Sequence, residues 1–210
     1  MAWFMGAQSE WLTIPSRRYS SAHMSGRGSS RETILGAAES VVRKKGAAHL
    51  TLDAVARMAG ISKGGLLYHF PNKQALLEGM IAHRVEQCSE DRRRAEARFL
   101  RDKSALLKAI VESGLDEDDP SRQINAAALA AIANDQTLLG PVKEHNKKLF
   151  KDLAAFKSFN RASVVVLAVH GLWLMETLRT SSLTQRQRSG IIKELLSLAD
   201  SAAEGHAPTQ

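Results

Sequence analysis

Apolar side chains return at Ile34, Leu35, Ala38, Val41 and Val42, the three-and-four spacing that lines one face of a helix, and Gly46 ends that run. Ser29 followed by Glu32 has the form of a capping box at its start. A shorter run opens at Thr51, whose hydroxyl suits a cap, and carries Ala54, Val55 and Met58 as its buried stripe. Gly60 then supplies a turn, Ser62 caps a third helix, and Pro71-Asn72 stops it and starts a fourth. From Lys73 the period predicts a long helix to about Phe99. Leu76, Leu77, Met80, Ile81, Val85 and Cys88 are expected inward, and residues 90–94 form a charged, solvated face. Further helices are predicted near 103–113, 122–133, 142–156, 162–180 and 185–203, with an acidic loop at 116–120 and a break or start at Gly140-Pro141.

The stretch 162–180 departs from the usual amphipathic pattern. Val164, Val165, Val166, Leu167, Val169, Leu172, Trp173, Leu174 and Met175 leave it apolar on nearly every face. Such a helix either sits at the centre of a monomer or turns one face to a partner. The last helix carries Ile191, Ile192, Leu195, Leu196 and Leu198 on one side and Lys193 and Glu194 on the other. Paired with its neighbour it suits a four-helix interface, so a homodimer is expected, with Leu172 and Leu195 as interface positions.

With 44% hydrophobic residues among 210 the chain has enough apolar side chain for a real core, and aromatics at 5% favour an all-helical fold over a sheet. The expected architecture is all-α: a flexible arm over 1–28, a small three-helix unit over 29–73 and a larger helical domain over 74–205. The arm is rich in Ser, Arg and Gly. Its Trp3-Phe4-Met5 run is too short for a signal peptide, and Met24 is an alternative start. A single cysteine, Cys88, excludes an intramolecular disulfide and points to a reducing, cytoplasmic compartment. No apolar run reaches the ~18 residues of a membrane span. The net charge is +7, and between residues 27 and 73 eight cations face three carboxylates, so the excess lies in the small unit and suits a polyanion. Arg17 and Arg18 of the arm, with Arg27 and Arg31 from that count, are placed to reach the polyanion electrostatically.

The helix opened by Ser62 gives up stability. Gly64 and Gly65 each cost about 0.5–1 kcal/mol relative to Ala inside a helix. Nothing in core formation asks for that sacrifice, whereas a backbone that must approach a groove wall does. In a helix-turn-helix the second helix enters the major groove while flanking groups hold phosphates. Thr51 and Ser62 stand at helix N-termini, where hydroxyls and free N–H groups favour an anion. Lys63 suits a base edge or a phosphate, and Tyr68, His69 and Lys73 offer donors at phosphate height. Leu66, Leu67 and Phe70 are expected to lock the short helices together.

Over residues 31–80, with TLDAVARMAGIS, KGGLLYHFPNK and ALL in sequence, the chain resembles the N-terminal DNA-binding domain of the TetR family of bacterial transcriptional regulators. It departs from the commonest family pattern at Leu67, where an aromatic is usual, and at Gly65, where a small hydroxyl residue is usual, so base preference does not carry over. The resemblance implies a homodimer on double-stranded DNA and a small-molecule effector bound in a helical C-terminal domain. It also implies DNA contacts at Thr51, Ser62, Lys63, Gly64, Gly65, Tyr68, His69 and Lys73. A repressor released by its ligand is the expected role. Activation, or a protein-interaction module without DNA binding, are the alternatives. His170 and Trp173 are the candidate ligand contacts, since an imidazole and an indole within an apolar helix need partners for their N–H groups. No HExxH, GxSxG, phosphate loop or dinucleotide fingerprint occurs, and the seven histidines form no pair at metal spacing, so neither an enzyme nor a cofactor is expected.

Overall fold

Gly46 adopts φ +85° and Gly60 φ +68°, and between them the chain makes the two turns that define its N-terminal unit. The computed structural model describes residues 30–99, 101–116 and 119–204, so the expected arm and the Ser29 cap lie outside the described residues. The protein is all-α. In chain order the helices are α1 (Ser30–Lys45), α2 (Leu52–Ala59), α3 (Lys63–His69), α4 (Lys73–Glu96), α5 (Ala105–Gly114), α6 (Arg122–Asn134), α7 (Gly140–Leu153), α8 (Phe159–Thr177) and α9 (Gln185–Glu204). Two 3-10 turns, Ala47–His49 and Gln136–Leu139, were not expected from the apolar period. Each occupies a short link between helices, where four residues or fewer leave no period to read. Gly140-Pro141 starts α7, with proline in the first turn where its missing N–H costs nothing.

Two apolar clusters organise the molecule. The upper one joins Ile34, Leu35, Val41 and Val42 of α1 to Val55, Leu66, Phe70, Leu76 and Met80, and it takes in Ile124 of α6. The lower one joins Leu107, Ile110 and Val111 of α5 to Leu149 and Leu153 of α7, Val165, Val166, Val169 and Leu172 of α8, and Leu195 and Ala199 of α9. Phe70 is the largest fully buried side chain of the upper cluster. A Cβ on Gly79 of α4 would stand 2.6 Å from its ring, so α4 approaches that ring only because position 79 has no side chain. Arg31 of α1 lies over the ring, its guanidinium 5.1 Å from the centroid.

Several expectations change here. Leu67 and Cys88 are exposed instead of turned inward. Leu172 and Leu195 are buried in the subunit's own lower cluster, so they are core residues and not candidates for an interface. For Leu172 the reason is that α8 is apolar all round and gives no sequence signal for which face its own core takes. For Leu195 it is that an amphipathic helix shows an apolar face without showing whether its own subunit or a partner covers it.

A polar knot fixes α9 to the start of α5. Lys108 Nζ lies 2.7 Å from Asp102 and 2.6 Å from Asp200, and Ser104 donates its backbone N–H to Asp102 at 2.8 Å. Burial alone would raise the Asp102 pKa, yet the hydrogen bonds from Lys108 and Ser104 outweigh it and hold the carboxyl at about 2, below its ordinary 3.8. A carboxyl depressed in the folded state stabilises the fold above its unfolded pKa and loses that contribution as pH falls through the folded value. Thermal midpoints measured from pH 6 to pH 2 should therefore fall less steeply in Asp102→Asn than in wild type below about pH 4, from a lower starting value.

Candidate nucleic-acid interface

Thr51 and Ser62 are both caps. Thr51 Oγ1 accepts from the Ala54 N–H at 3.2 Å, and Ser62 Oγ accepts from the Gly65 N–H at 3.0 Å. Capping uses each hydroxyl as an acceptor and leaves its O–H free to donate to a phosphate oxygen. Gly60 caps α2 in the left-handed conformation, its N–H reaching Ala56 and Arg57 carbonyls, which sets the tight corner between α2 and α3. Phe70 ends α3 in extended backbone, as the residue before a proline must, and the Asn72 side chain then caps α4 by accepting from Ala75 N–H at 2.8 Å. The start expected at Pro71-Asn72 is thus where α4 begins, with Asn, one of the preferred residues, as its cap.

This frame presents α3 to solvent. Leu66 fixes it to the upper core, while Lys63, Gly64, Gly65, Leu67 and Tyr68 are exposed. Tyr68 is 86% exposed, with only the edge of the His69 ring against it at 5.1 Å. Lys63 is not a free cation: its ammonium lies 3.1 Å from Asp53 of α2. The ten-residue separation of that pair is no helical spacing, which is why the sequence did not reveal it. Both partners are more than half exposed, so the pair is worth about 1 kcal/mol or less and is readily exchanged for a phosphate. Lys73 opens α4 on the exposed surface and makes no hydrogen bond or ion pair among the described residues.

The glycines of α3 are not required by the protein itself. A Cβ at Gly64 would meet only Ser62 Oγ at 3.9 Å, and one at Gly65 the same atom at 3.4 Å, both ordinary contacts, and neither glycine has a positive φ. Gly65→Ala should accordingly raise stability in urea by about 0.5–1 kcal/mol. The same substitution should weaken DNA retention several-fold. A variant that gains stability and binds DNA as well as wild type would remove the groove-approach explanation.

The two candidate ligand contacts both lie on α8. His170 is exposed on α8 and Trp173 is partly buried against the lower cluster. Neither lines the half-open cavity of about 450 Å³ between α1, α4 and α6.

Comparison with known proteins adds an independent line. Residues 34–80 match the family model described as bacterial regulatory proteins, tetR family, and residues 104–200 match the model described as tetracyclin repressor-like, C-terminal domain. The chain is 26% identical over 196 residues to the HTH-type transcriptional regulator BetI of Serratia proteamaculans, covering 85% of this chain and 94% of that one. Its fold is similar to that of a transcriptional regulator from Rhodococcus sp. Rha1, with a TM-score of 0.64 at 20% identity over 86% of this chain and 100% of the other. It is also similar to a TetR family member from Streptomyces coelicolor A3, with a TM-score of 0.58 at 23% identity over 80% and 98% of the two chains.

Proposed function

The chain belongs to the TetR family of bacterial transcriptional regulators, DNA-binding proteins with a helix-turn-helix, and from that footing we propose that it is a ligand-released repressor acting as a homodimer on a palindromic operator. The observation that carries the DNA-binding site is the bare surface of α3. Tyr68, a large ring almost wholly in water, stands on a helix whose two glycines serve no internal purpose. Thr51, Ser62, Lys63, Gly64, Gly65, Tyr68, His69 and Lys73 are the proposed contacts. Hydroxyls and ammonium groups take phosphates, and the glycine-lined start of α3 admits the groove wall.

The exposed face of α8 supports the dimer. Val164, Leu167, Leu174 and Leu178 recur at helical spacing and are 53%, 58%, 39% and 52% exposed, a contiguous apolar stripe that one subunit leaves in water. A two-fold axis through such a stripe duplicates α3 and sets the two copies against half-sites one or more helical turns apart. Bound there, the dimer blocks transcription sterically. An effector that reverses a 99:1 preference for the DNA-competent form must favour the other form by about 5.5 kcal/mol. DNA, and with it the site of action, places the protein in the bacterial cytoplasm.

Selection of genomic fragments retained by the purified protein tests this reading. The expected result is a palindromic sequence whose affinity falls with salt at a log–log slope of about −5 to −7, as six to eight phosphate contacts in a dimer require. No enriched fragment, or retention indifferent to salt, would remove DNA recognition from α3.

A further inference from the structure

The cavity of about 450 Å³ lies between the DNA-reading unit and the helical body, not within the lower core. Val42 of α1 and Leu50 wall it on one side, Leu77 and Met80 of α4 on another, and the short side chains of Ala128 and Ala131 on α6 leave the space open. Its volume falls in the range of small-molecule pockets, and its lining is mainly apolar. Three charged residues are among those that line it: Lys73, Arg84 and Asp135. Two of them are committed. Arg84 donates to Asn125 at 3.1 Å and Gln87 at 3.3 Å and faces Asp119 at 3.7 Å. Asp135 accepts from Gln74 at 3.0 Å and from the Thr137 N–H at 3.0 Å and hydroxyl at 2.6 Å. Lys73 alone has no partner among the described residues.

We infer that this cavity binds an amphipathic anion, an apolar body with one carboxylate-like head held by Lys73, and that the bound anion competes with DNA for that lysine. The apolar walls take the body, and the uncommitted ammonium supplies the charge-assisted hydrogen bond that selects an anionic head over a neutral or cationic one. The inference deepens the repressor reading and, in its DNA arm, rests on it. Lys73 opens α4 directly after the reading helix, so one cation serves either a phosphate outside or a head group inside. The ligand also stands between α1 and α6, which makes it a wedge between head and body.

Decanoate, decanol and decylamine are suitable probes, titrated calorimetrically into the full chain. Decanoate is expected to bind with a Kd of roughly 10–100 µM, and decanol and decylamine at least about tenfold more weakly. Lys73→Gln should weaken decanoate about tenfold and leave decanol unchanged. Ala131→Trp should abolish binding of all three. Ala128→Leu fills less of the same space, and should reduce the affinity by a smaller factor, which keeps the test valid if the tryptophan variant misfolds. At ten times the wild-type Kd, decanoate should lower retention of the selected DNA fragment about tenfold in wild type and by a smaller factor in Ala128→Leu, in step with its weaker affinity. The inference is overturned if decanoate does not bind, if both alanine variants bind it as wild type does, or if DNA retention ignores it. A chain that retains no DNA fragment at all defeats the repressor reading instead, and the calorimetric arm then decides the site by itself.

Discussion

Leu167→Arg is expected to convert the protein from dimer to monomer and to lower operator affinity by about 10²–10⁴-fold, the factor that linking two reading heads supplies. Leu167 is the most exposed apolar residue of α8, with Val164 one turn before it and Leu174 two turns after it on the same side. Burying a leucine at an interface is worth about 1.5–3 kcal/mol, and a two-fold axis counts the loss twice while setting two guanidinium groups against each other. Sedimentation at micromolar concentration reads the first effect and a DNA titration the second. Leu172→Arg is the necessary contrast. That side chain is buried in the lower core, so its replacement should cost helicity and cooperative unfolding as well as association. A folded Leu167→Arg protein that still sediments as a dimer would place the interface away from α8.

Arg188→Ala is expected to lower stability by about 3–5 kcal/mol, the usual cost of removing one partner of a buried ion pair. Arg188 is buried, its Nε donates to Glu176 at 2.6 Å, and its terminal nitrogen donates to the Leu115 carbonyl at 2.7 Å. Those bonds join α9 to α8 and to the end of α5. Alanine leaves the carbonyl without that donor and the carboxylate, among the described residues, with only the more distant Arg122, at 3.7 Å. Replacing Glu176 and Arg188 together by leucine and methionine should cost much less, because no charge is then stranded. Urea midpoints with unchanged slope are the measurement. An alanine variant within about 1 kcal/mol of wild type would make the pair ornamental to the fold.

The N-terminal unit was legible because its signals are local. Thr51, Ser62 and Gly60 act within four residues of themselves, and each does in the structure what its chemistry implied. The long-range facts were not legible. Lys63 meets Asp53 across a turn, and Ser104 meets Asp200 over 96 positions. No periodicity encodes such pairs. The orientation of α8 was hidden for a different reason: with apolar residues on every side, the core face is chosen by where α5, α7 and α9 pack, not by the helix itself. The cavity was hidden too, since a void is the property of three helices meeting and Ala128 and Ala131 read, one at a time, as ordinary helix formers.

The length of α4 has a mechanical consequence. Twenty-four residues make a rod of about 36 Å, with Lys73 at one tip and the junction to α5 at the other. Pivoting that rod by about 5° at its far tip sweeps Lys73 through about 3 Å, close to the rise between successive base pairs. An angular change too small to disturb any helix is thereby amplified into a full step of mismatch along the duplex.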